Sequence, residues 1–147
     1  MAWVWLDGME SFEKSKRARA WKKWEALFPL SYLIELTAQT GAVILGAESD
    51  YQQDIVFTKI ENFEFFGRPK PQVRLEIEVE ADGLRREGGW FSGRIFQEGN
   101  QLAEGRVLLM NIGRLRPDGK GPVTFPEQLQ NAYIASLRAE RSEAKQS

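Results

Sequence analysis

One stretch of the sequence decides the fold: residues 29–46 read PLSYLIELTAQTGAVILG and contain a single charged residue, Glu35. A proline at the start of such a run is typical of the first turn of a helix, and Gly46 is typical of its end. Apolar residues fall on every face of the predicted helix, which indicates a helix surrounded by protein or lipid. The run is short for a membrane span and contains Glu35 and Gln39, so we interpret it as a buried helix at the centre of a soluble core.

The sequence around this helix has the patterns of strands. In residues 73–79, apolar side chains alternate with arginine and glutamate, as in a half-buried antiparallel strand. Residues 98–100 read EGN and predict the turn of a hairpin. The Asp7-Gly8 pair predicts a turn after a short first strand. Strands are predicted in all at residues 3–6, 18–22, 55–66, 73–79, 90–97 and 102–112.

These elements predict an α+β domain in which an antiparallel sheet wraps around one long central helix. The opposite face of the sheet is expected to be charged and covered by water. We assign residues 1–113 to this domain and residues 114–147 to a polar linker and a C-terminal helical extension. That added helix, predicted at residues 126–144, has one apolar face that would dock on the sheet or on a partner subunit.

Composition excludes several classes of function. The chain has 147 residues, a net charge of −1, no histidine and no cysteine. Thiolate nucleophiles, Ser-His-Asp triads and zinc sites of the Cys/His type are therefore excluded, and we expect no metal and no cofactor. The balanced charge argues against nucleic-acid binding. Without cysteines or a signal-peptide pattern at the first residues, the default expectation is a soluble cytoplasmic protein.

Glu35 is the candidate for acid/base chemistry. An ionised carboxylate among apolar neighbours costs several kcal/mol, so it should be paired or have a raised pKa. Gln39 lies one helical turn later on the same face and can form a hydrogen bond with it. A carboxyl group with a raised pKa on a rigid helix suits a general acid. A structural carboxylate at a helix edge, paired with an arginine, is the equally weighted alternative.

Residues 28–41 resemble the central-helix motif of the bacterial β-hydroxyacyl-acyl-carrier-protein dehydratases, which reads roughly M-P-G-V-L-I-x-E-A-x-A-Q-x-x-G. Later stretches are similar in order and spacing. Residues 66–69 read FGRP, as in the family's F-x-R-P turn, and residues 98–105 resemble its last hairpin. Even Leu6-Asp7 is similar to the family's early L-x-D strand. The resemblance covers residues 3–112 and leaves only the C-terminal tail outside.

This resemblance implies a hotdog fold and a dehydratase (lyase) of fatty acid biosynthesis and lipid metabolism. It implies a homodimer, or a trimer of dimers, with two acyl tunnels at the subunit interface. The substrate would be an acyl thioester on acyl carrier protein or CoA. In the family, a loop histidine acts as base and the helix carboxylate of the other subunit, here Glu35, acts as acid. The matching substrate-binding positions are Pro29, Leu30, Gln39, Phe66 and Arg68.

The sequence departs from the family pattern at the chemistry itself. The family histidine is absent, the loop that carries it is contracted to residues 24–28, and the turn at residues 68–72 is shortened. Leu30 replaces the motif glycine at the helix start. Three functions stay open: a dehydratase that uses Glu35 with another base (Glu25 or a water), a thioesterase-like hydrolase, or a non-catalytic acyl-binding or scaffold protein.

Two further clusters have competing interpretations. The basic residues between Lys14 and Lys23, together with Arg68, Arg85 and Arg86, suit docking of an acidic carrier protein. A solvated face is favoured for them, because glutamates bracket the stretch. Several aromatic side chains suit the lining of a tunnel, although core or dimer interface is favoured for them as a group: Trp21, Trp24, Phe28 and Tyr32.

Overall fold

The computed structural model of the protein describes residues 6–51 and 54–113, and within them a sheet wraps around a single helix. The elements in chain order are β1 (Gly8–Glu13), β2 (Arg17–Lys23), α1 (Tyr32–Ala47), β3 (Asp54–Phe65), β4 (Arg74–Arg85), β5 (Gly88–Gln97) and β6 (Asn100–Gly113). This arrangement confirms the predicted α+β class and the hotdog architecture of a sheet around one helix.

The strands form one antiparallel sheet in the order β1-β2-β4-β5-β6-β3. The chain crosses from β2 through α1 to β3 at the far edge and then returns to the centre with β4. The hairpin between β5 and β6 turns at Glu98 and Gly99, whose φ angles are +51° and +80°. Two central residues with positive φ are typical of the tight turn that fits the twist of a hairpin.

The core lies between α1 and one face of the sheet, which we call the inner face. Alternate residues of β4, β5 and β6 are fully buried there against buried residues of the helix, as the alternating pattern predicts. Gly93 allows this close packing, because a Cβ atom at that position would collide with the side chain of Thr37. A chain without disulfides is held together by this apolar contact.

The opposite face of the sheet, the outer face, is polar. Arg106 forms ion pairs there with Glu61 and Asp82, each at 2.9 Å. Arg19 pairs with Glu78 across β2 and β4. These pairs confirm that the charged half of the alternating pattern faces water.

Some predicted boundaries were wrong. Residues 29–31 form a turn before the helix, in which Tyr32 N donates to Pro29 O at 3.0 Å. Gly46 does not end the helix, because it is buried inside the last turn and tertiary packing overrides its propensity.

The first strand was also misplaced. Gly8 begins β1 rather than a turn, and it pairs with Trp21 of β2. The pattern of β1 was hidden by a bulge between Met9 and Ser11, which interrupts the alternation. Residues 3–5 of the predicted first strand and the extension at residues 114–147 lie outside the described residues, and Leu6, which is described, is not part of a strand. Within the described ranges, no helix has the length and apolar character needed to cross a membrane.

Candidate active site

Most of the predicted site residues lie at one end of the molecule. The register places the end of β2 (Lys23) beside the start of β4 (Arg74), and the start of β4 beside the hairpin that joins β5 to β6. The loop that leads into α1 and the connection between β3 and β4 meet there, because Gln72 N donates to Trp24 O at 2.7 Å. We call this the helix-start end. It holds five of the site residues predicted from the sequence, namely Pro29, Leu30, Glu35, Phe66 and Arg68, whereas Gln39 lies near the middle of α1.

Glu35 lies in the first turn of α1, and its side chain is exposed in the single subunit. Glu35 thus lies at the edge of the helix, which was one of the two positions that the sequence left open, because the sheet covers only part of the helix circumference. Partial desolvation by the surrounding protein raises the pKa of Glu35 above the ordinary value of a glutamate side chain, in the direction that the sequence predicted. Within the described residues Glu35 forms no side-chain hydrogen bond or ion pair, so the expected contacts with Gln39 or an arginine are not made. The carboxyl group is available to a ligand.

Glu35 belongs to a stripe of helix residues that the sheet does not bury. Ser31 and Glu35 are exposed, and Ile34, Gln39 and Ala42 are half-buried. These positions recur every three to four residues and so share one side of the helix. Among residues 6–51 and 54–113, the helix is thus covered on its sheet side, and this stripe is left for a ligand or for another subunit.

A second uncovered surface lies on the inner face of β3. Three apolar residues of β3 lie opposite core residues of β6: Phe57 pairs with Leu109, Ile60 with Val107, and Phe65 with Ala103. Because paired residues point to the same face of a sheet, all three side chains point to the helix side. They are nonetheless 38%, 48% and 40% exposed. We call these three residues the apolar shelf. Phe66, which directly follows β3, extends it and is also exposed.

An aromatic ladder fixes the loop before the helix. The ring of Phe28 lies between Trp24 and Tyr32, with centroid distances of 5.3 and 5.0 Å. The Nζ atom of Lys22 lies 5.7 Å from the centroid of the Phe28 ring. Trp24 is fully buried, which supports the favoured core interpretation for that residue. The ladder sets the position of Pro29 and Leu30 ahead of the first helical turn.

Gln97 is a structurally important residue that the sequence interpretation missed. Its side chain is buried and binds the connection between β3 and β4, accepting from Lys70 N at 2.8 Å and donating to Lys70 O and Val73 O at 3.0 and 3.1 Å. This connection carries Arg68, for which no acidic partner is found in the described part of the chain. The available signal was a polar residue at an inward position of β5, in step with Phe91 and Ile95.

Glu25 was the predicted candidate for a replacement base. It lies at the helix-start end, in the loop after β2, where its Oε2 atom accepts a hydrogen bond from Gln72 Nε2 at 2.7 Å. This bond ties the loop before α1 to the connection between β3 and β4. Glu25 is therefore already engaged in joining the two loops that frame the site.

The basic residues do not form one patch. Lys16 and Arg17 pair with Glu13, and Lys22 pairs with Asp7 at 3.1 Å. These pairs support the favoured interpretation of a solvated face. Arg85 and Arg86 follow the part of β4 that pairs with Arg17, so they lie at the end opposite to Arg68. Of the predicted docking cations outside the stretch from Lys14 to Lys23, only Arg68 lies at the helix-start end.

A groove of about 530 Å³ lies elsewhere, on the outer face. It is lined mainly by charged side chains of β4, β5 and β6, which include Glu78, Arg94 and Arg106. Because these residues point away from the helix, the groove is separate from Glu35 and from the apolar shelf. It is solvent-facing surface between rows of ion pairs.

Comparison with known proteins agrees with this architecture. The chain has the hotdog fold, and solved structures of similar fold include the dehydratase heterocomplex ApeI:P from Xenorhabdus doucetiae. That likeness has a TM-score of 0.64 at 16% identity and covers 76% of this chain and 84% of the other. A hypothetical thioesterase from Streptococcus pneumoniae with coenzyme A has a TM-score of 0.60 at 14% identity, over 71% and 87% of the two chains. At these identities the likeness establishes the fold alone.

The sequence comparison is more specific. Over 83 residues the chain is 32% identical to the 3-hydroxyacyl-[acyl-carrier-protein] dehydratase FabZ of Herpetosiphon aurantiacus. The match covers 56% of this chain and 59% of that relative, so it spans little more than half of either protein. No family model matches the sequence. Fold and sequence together define a hotdog protein that resembles the dehydratases.

Proposed function

We propose that this protein binds acyl thioesters at the helix-start end, as a β-hydroxyacyl-acyl-carrier-protein dehydratase-like protein whose activity is altered or lost. The observation that carries the proposal is the position of Glu35 in the first turn of α1, where its carboxyl group has no side-chain partner among the described residues. An uncovered apolar surface for an acyl chain lies on the same side of the sheet as the helix. The similarity to a FabZ dehydratase supports the substrate class.

The chemistry available to Glu35 is proton donation. Dehydration removes a proton from the α-carbon and the hydroxyl group from the β-carbon, so that a double bond forms and water leaves. The leaving hydroxyl needs a proton, and a carboxyl group with a raised pKa keeps a larger fraction of the protonated form at neutral pH. Glu35 would donate that proton, and the first turn of α1 holds it in a fixed position.

The base is the missing element of this mechanism. The sequence contains no histidine, and Glu25, the candidate in the neighbouring loop, accepts a hydrogen bond from Gln72. A water molecule or Glu25 would have to take the α-proton in its place. Since a positioned general base contributes typically 10²–10⁴-fold in rate, we expect turnover well below that of a dehydratase with a complete site.

A thioesterase-like reaction is the second candidate. In it, the ionised Glu35 would activate a water molecule that attacks the thioester carbon, and the positive end of the helix dipole would polarise the carbonyl. The N–H groups of Tyr32, Leu33 and Ile34 already donate to the carbonyl oxygens of residues 29–31, so the helix would act through its dipole. The fold likeness to a thioesterase with bound coenzyme A favours this alternative. It needs no histidine.

The third candidate is a non-catalytic acyl-binding or scaffold role beside a second hotdog chain. The fold neighbour from Xenorhabdus doucetiae is itself a dehydratase heterocomplex, which supports the idea that a chain of this fold works within a mixed assembly. In that case the partner would carry the base and this chain would contribute binding surface.

Self-association is part of the proposal. β3 is a twelve-residue strand at the edge of the sheet that the described residues form, and its inner face carries exposed apolar residues. Long apolar edges of this kind are normally covered in a folded protein. A homodimer, alone or as part of a trimer of dimers, would cover this edge and place Glu35 and the apolar shelf at the subunit interface, where the family resemblance implies the acyl tunnels.

The remaining proposals concern the carrier and the cellular context. Arg68 would contact the anionic part of the carrier, because phosphate groups are good partners for a guanidinium group. Both coenzyme A and acyl carrier protein have such groups. The acyl-carrier-protein dehydratase that the sequence resembles supports a cytoplasmic role in lipid metabolism.

Activity measurements separate the candidates. Purified protein is incubated with crotonyl-CoA, and hydration is followed by loss of the conjugated thioester absorbance, while free thiol release is followed in parallel. Hydration that is abolished in Glu35→Gln supports the dehydratase, whereas thiol release abolished by the same change supports the hydrolase. Binding of an acyl-pantetheine without either reaction supports the non-catalytic role. The absence of both reactions and of binding would contradict the whole proposal.

A further inference from the structure

A bulge in β3 decides which aromatic side chains reach the inner face. Glu61 pairs with Arg106 and Glu64 with Glu104, so three residue steps in β3 oppose two in β6. Asn62 within the bulge has the left-handed φ of +52°. The extra residue resets the alternation, and Phe65 therefore points to the inner face instead of the outer one.

Phe63 is fixed in place by a glycine on the neighbouring strand. A Cβ atom on Gly105 of β6 would lie 2.6 Å from Phe63 Cγ and 2.7 Å from Phe63 Cα. Gly105 lies between Ala103 and Val107 on the inner face, so Phe63 packs against the core at this point. Because the contact includes the backbone of Phe63, a larger residue at position 105 would displace the strand as well as the ring.

The Phe63 ring lies at the boundary between the apolar shelf and the core. Its centroid lies 5.4 Å from that of Phe65, with the planes tilted by 48°. Phe65 is partly exposed, whereas Phe63 is half-buried against the core. Both residues are near the end of β3, which the register places beside the start of β6 and so at the helix-start end.

We propose that Phe63, held by the bulge at Asn62 and by the missing side chain at Gly105, sets the length of acyl chain that the site accepts. The inference rests on the proposed function, since it assumes that a thioester is held near Glu35. A chain that extends from that thioester over the shelf meets the Phe63 ring. The ring fills the space that the missing side chain of Gly105 leaves, and the bulge at Asn62 sets the position of its backbone.

The test compares chain-length preference in three proteins. Crotonyl-, octenoyl- and dodecenoyl-CoA are offered to the wild type, to Phe63→Ala and to Phe12→Ala, a half-buried aromatic residue of β1 at the opposite edge of the sheet. We expect Phe63→Ala to raise the dodecenoyl-to-crotonyl ratio of kcat/KM by at least about tenfold, because pocket contacts of one or a few methylene groups change rates by that much. Phe12→Ala should leave the ratio unchanged. Phe63→Leu, which keeps most of the volume, should give a smaller shift and serves if the alanine variant does not fold.

If the wild type shows no turnover, chain-length preference is measured instead as the ratio of the dissociation constants of acyl-CoA thioethers with the same long and short chains. An unchanged preference in a folded Phe63 variant would overturn the role of Phe63 and leave the proposed function standing. Failure of the wild type to bind or convert any of the acyl chains would overturn both. An equal shift in Phe12→Ala would also contradict the inference, because it would show that the effect does not come from position 63.

Discussion

The side-chain amide of Gln97 binds both backbone polar groups of Lys70: Lys70 N donates to Gln97 Oε1 at 2.8 Å, and Gln97 Nε2 donates to Lys70 O at 3.0 Å. The same amide nitrogen also donates to Val73 O at 3.1 Å. One buried side chain at the end of β5 therefore fixes the connection between β3 and β4. This connection carries Arg68, which we propose contacts the carrier, so the position of Arg68 depends on Gln97 of β5.

Replacement of Gln97 by leucine should destabilise the protein and loosen this connection. The change leaves buried backbone groups without partners, and we expect the free energy of unfolding to fall by about 1–3 kcal/mol. Denaturant titration measures the loss, and hydrogen exchange should show reduced protection of the Lys70 amide. Gln101→Leu is the control, because the hydrogen bond of the Gln101 side chain to Glu104 lies at an exposed position. Equal losses in the two variants would contradict the special role of Gln97.

The sequence was sufficient for the fold because its strongest patterns are those that burial creates. The alternation in residues 73–79 survives in the structure as fully buried Leu75, Ile77 and Val79. The apolar run after Pro29 forms the one helix of the described residues. β1 was missed, because a bulge and the charged residues of this strand interrupt the alternation of apolar and polar side chains.

The site was less predictable, because exposure depends on what the sheet covers rather than on local sequence. Glu35 has apolar neighbours in the chain, yet it lies on the side of α1 that the sheet leaves open. Sequence patterns also did not indicate that Phe63 and Phe65 share the inner face, since this depends on the extra residue at the bulge. Gln97 was missed because a polar residue in an inward position has no fixed partner until the loops are placed.

Gly105→Ala should cost stability through steric conflict with Phe63. The added methyl group has no space, and overpacking of this kind costs about 1–3 kcal/mol. Gly67→Ala is the control, because a Cβ atom there meets only the flexible end of Leu102 at 3.3 Å. Combining Gly105→Ala with Phe63→Ala in a double-mutant cycle should recover part of the loss. Strict additivity of the two changes would show that the residues do not interact.

Glu35 should make stability depend on pH. Because its pKa is raised in the folded state, the folded protein binds the proton more tightly than the unfolded chain does. The stabilisation is complete below the unfolded pKa and is lost as pH rises through the folded pKa. The free energy of unfolding of the wild type should therefore fall relative to Glu35→Gln as the pH rises from about 4.5. Denaturant titrations of both proteins over this range measure the difference, and a rise with pH would contradict the raised pKa.

Arg106 should contribute more than an ordinary surface cation. Its guanidinium group reaches Glu61 and Asp82, each at 2.9 Å, and lies 4.7 Å from the centroid of Trp90. Arg106→Lys keeps the positive charge, but a lysine ammonium group cannot bond to both carboxylates in the same plane or stack on the Trp90 ring. We therefore expect a loss of about 1 kcal/mol in the free energy of unfolding. Arg94→Lys, with one ion pair at 3.7 Å, is the control and should change stability by less than about 0.5 kcal/mol. Equal losses of stability in Arg106→Lys and Arg94→Lys would show that the simultaneous contacts of Arg106 with two carboxylates and one ring do not stabilise the protein.

The uncovered inner face of β3 leads to a prediction about assembly. Ile60 is 48% exposed in the single subunit, and lysine at this position should leave the fold intact while placing a charge in the proposed subunit interface. Burial of that charge costs several kcal/mol, so the dissociation constant of the dimer should rise by at least about a hundredfold. Sedimentation velocity at micromolar concentration should show a dimer for the wild type and a monomer for Ile60→Lys. Leu27→Lys makes the same chemical change at a fully exposed loop position, away from β3, and should remain dimeric. A monomeric wild type would contradict the dimer, whereas dissociation by Leu27→Lys but not by Ile60→Lys would move the interface from β3 to the loop before α1.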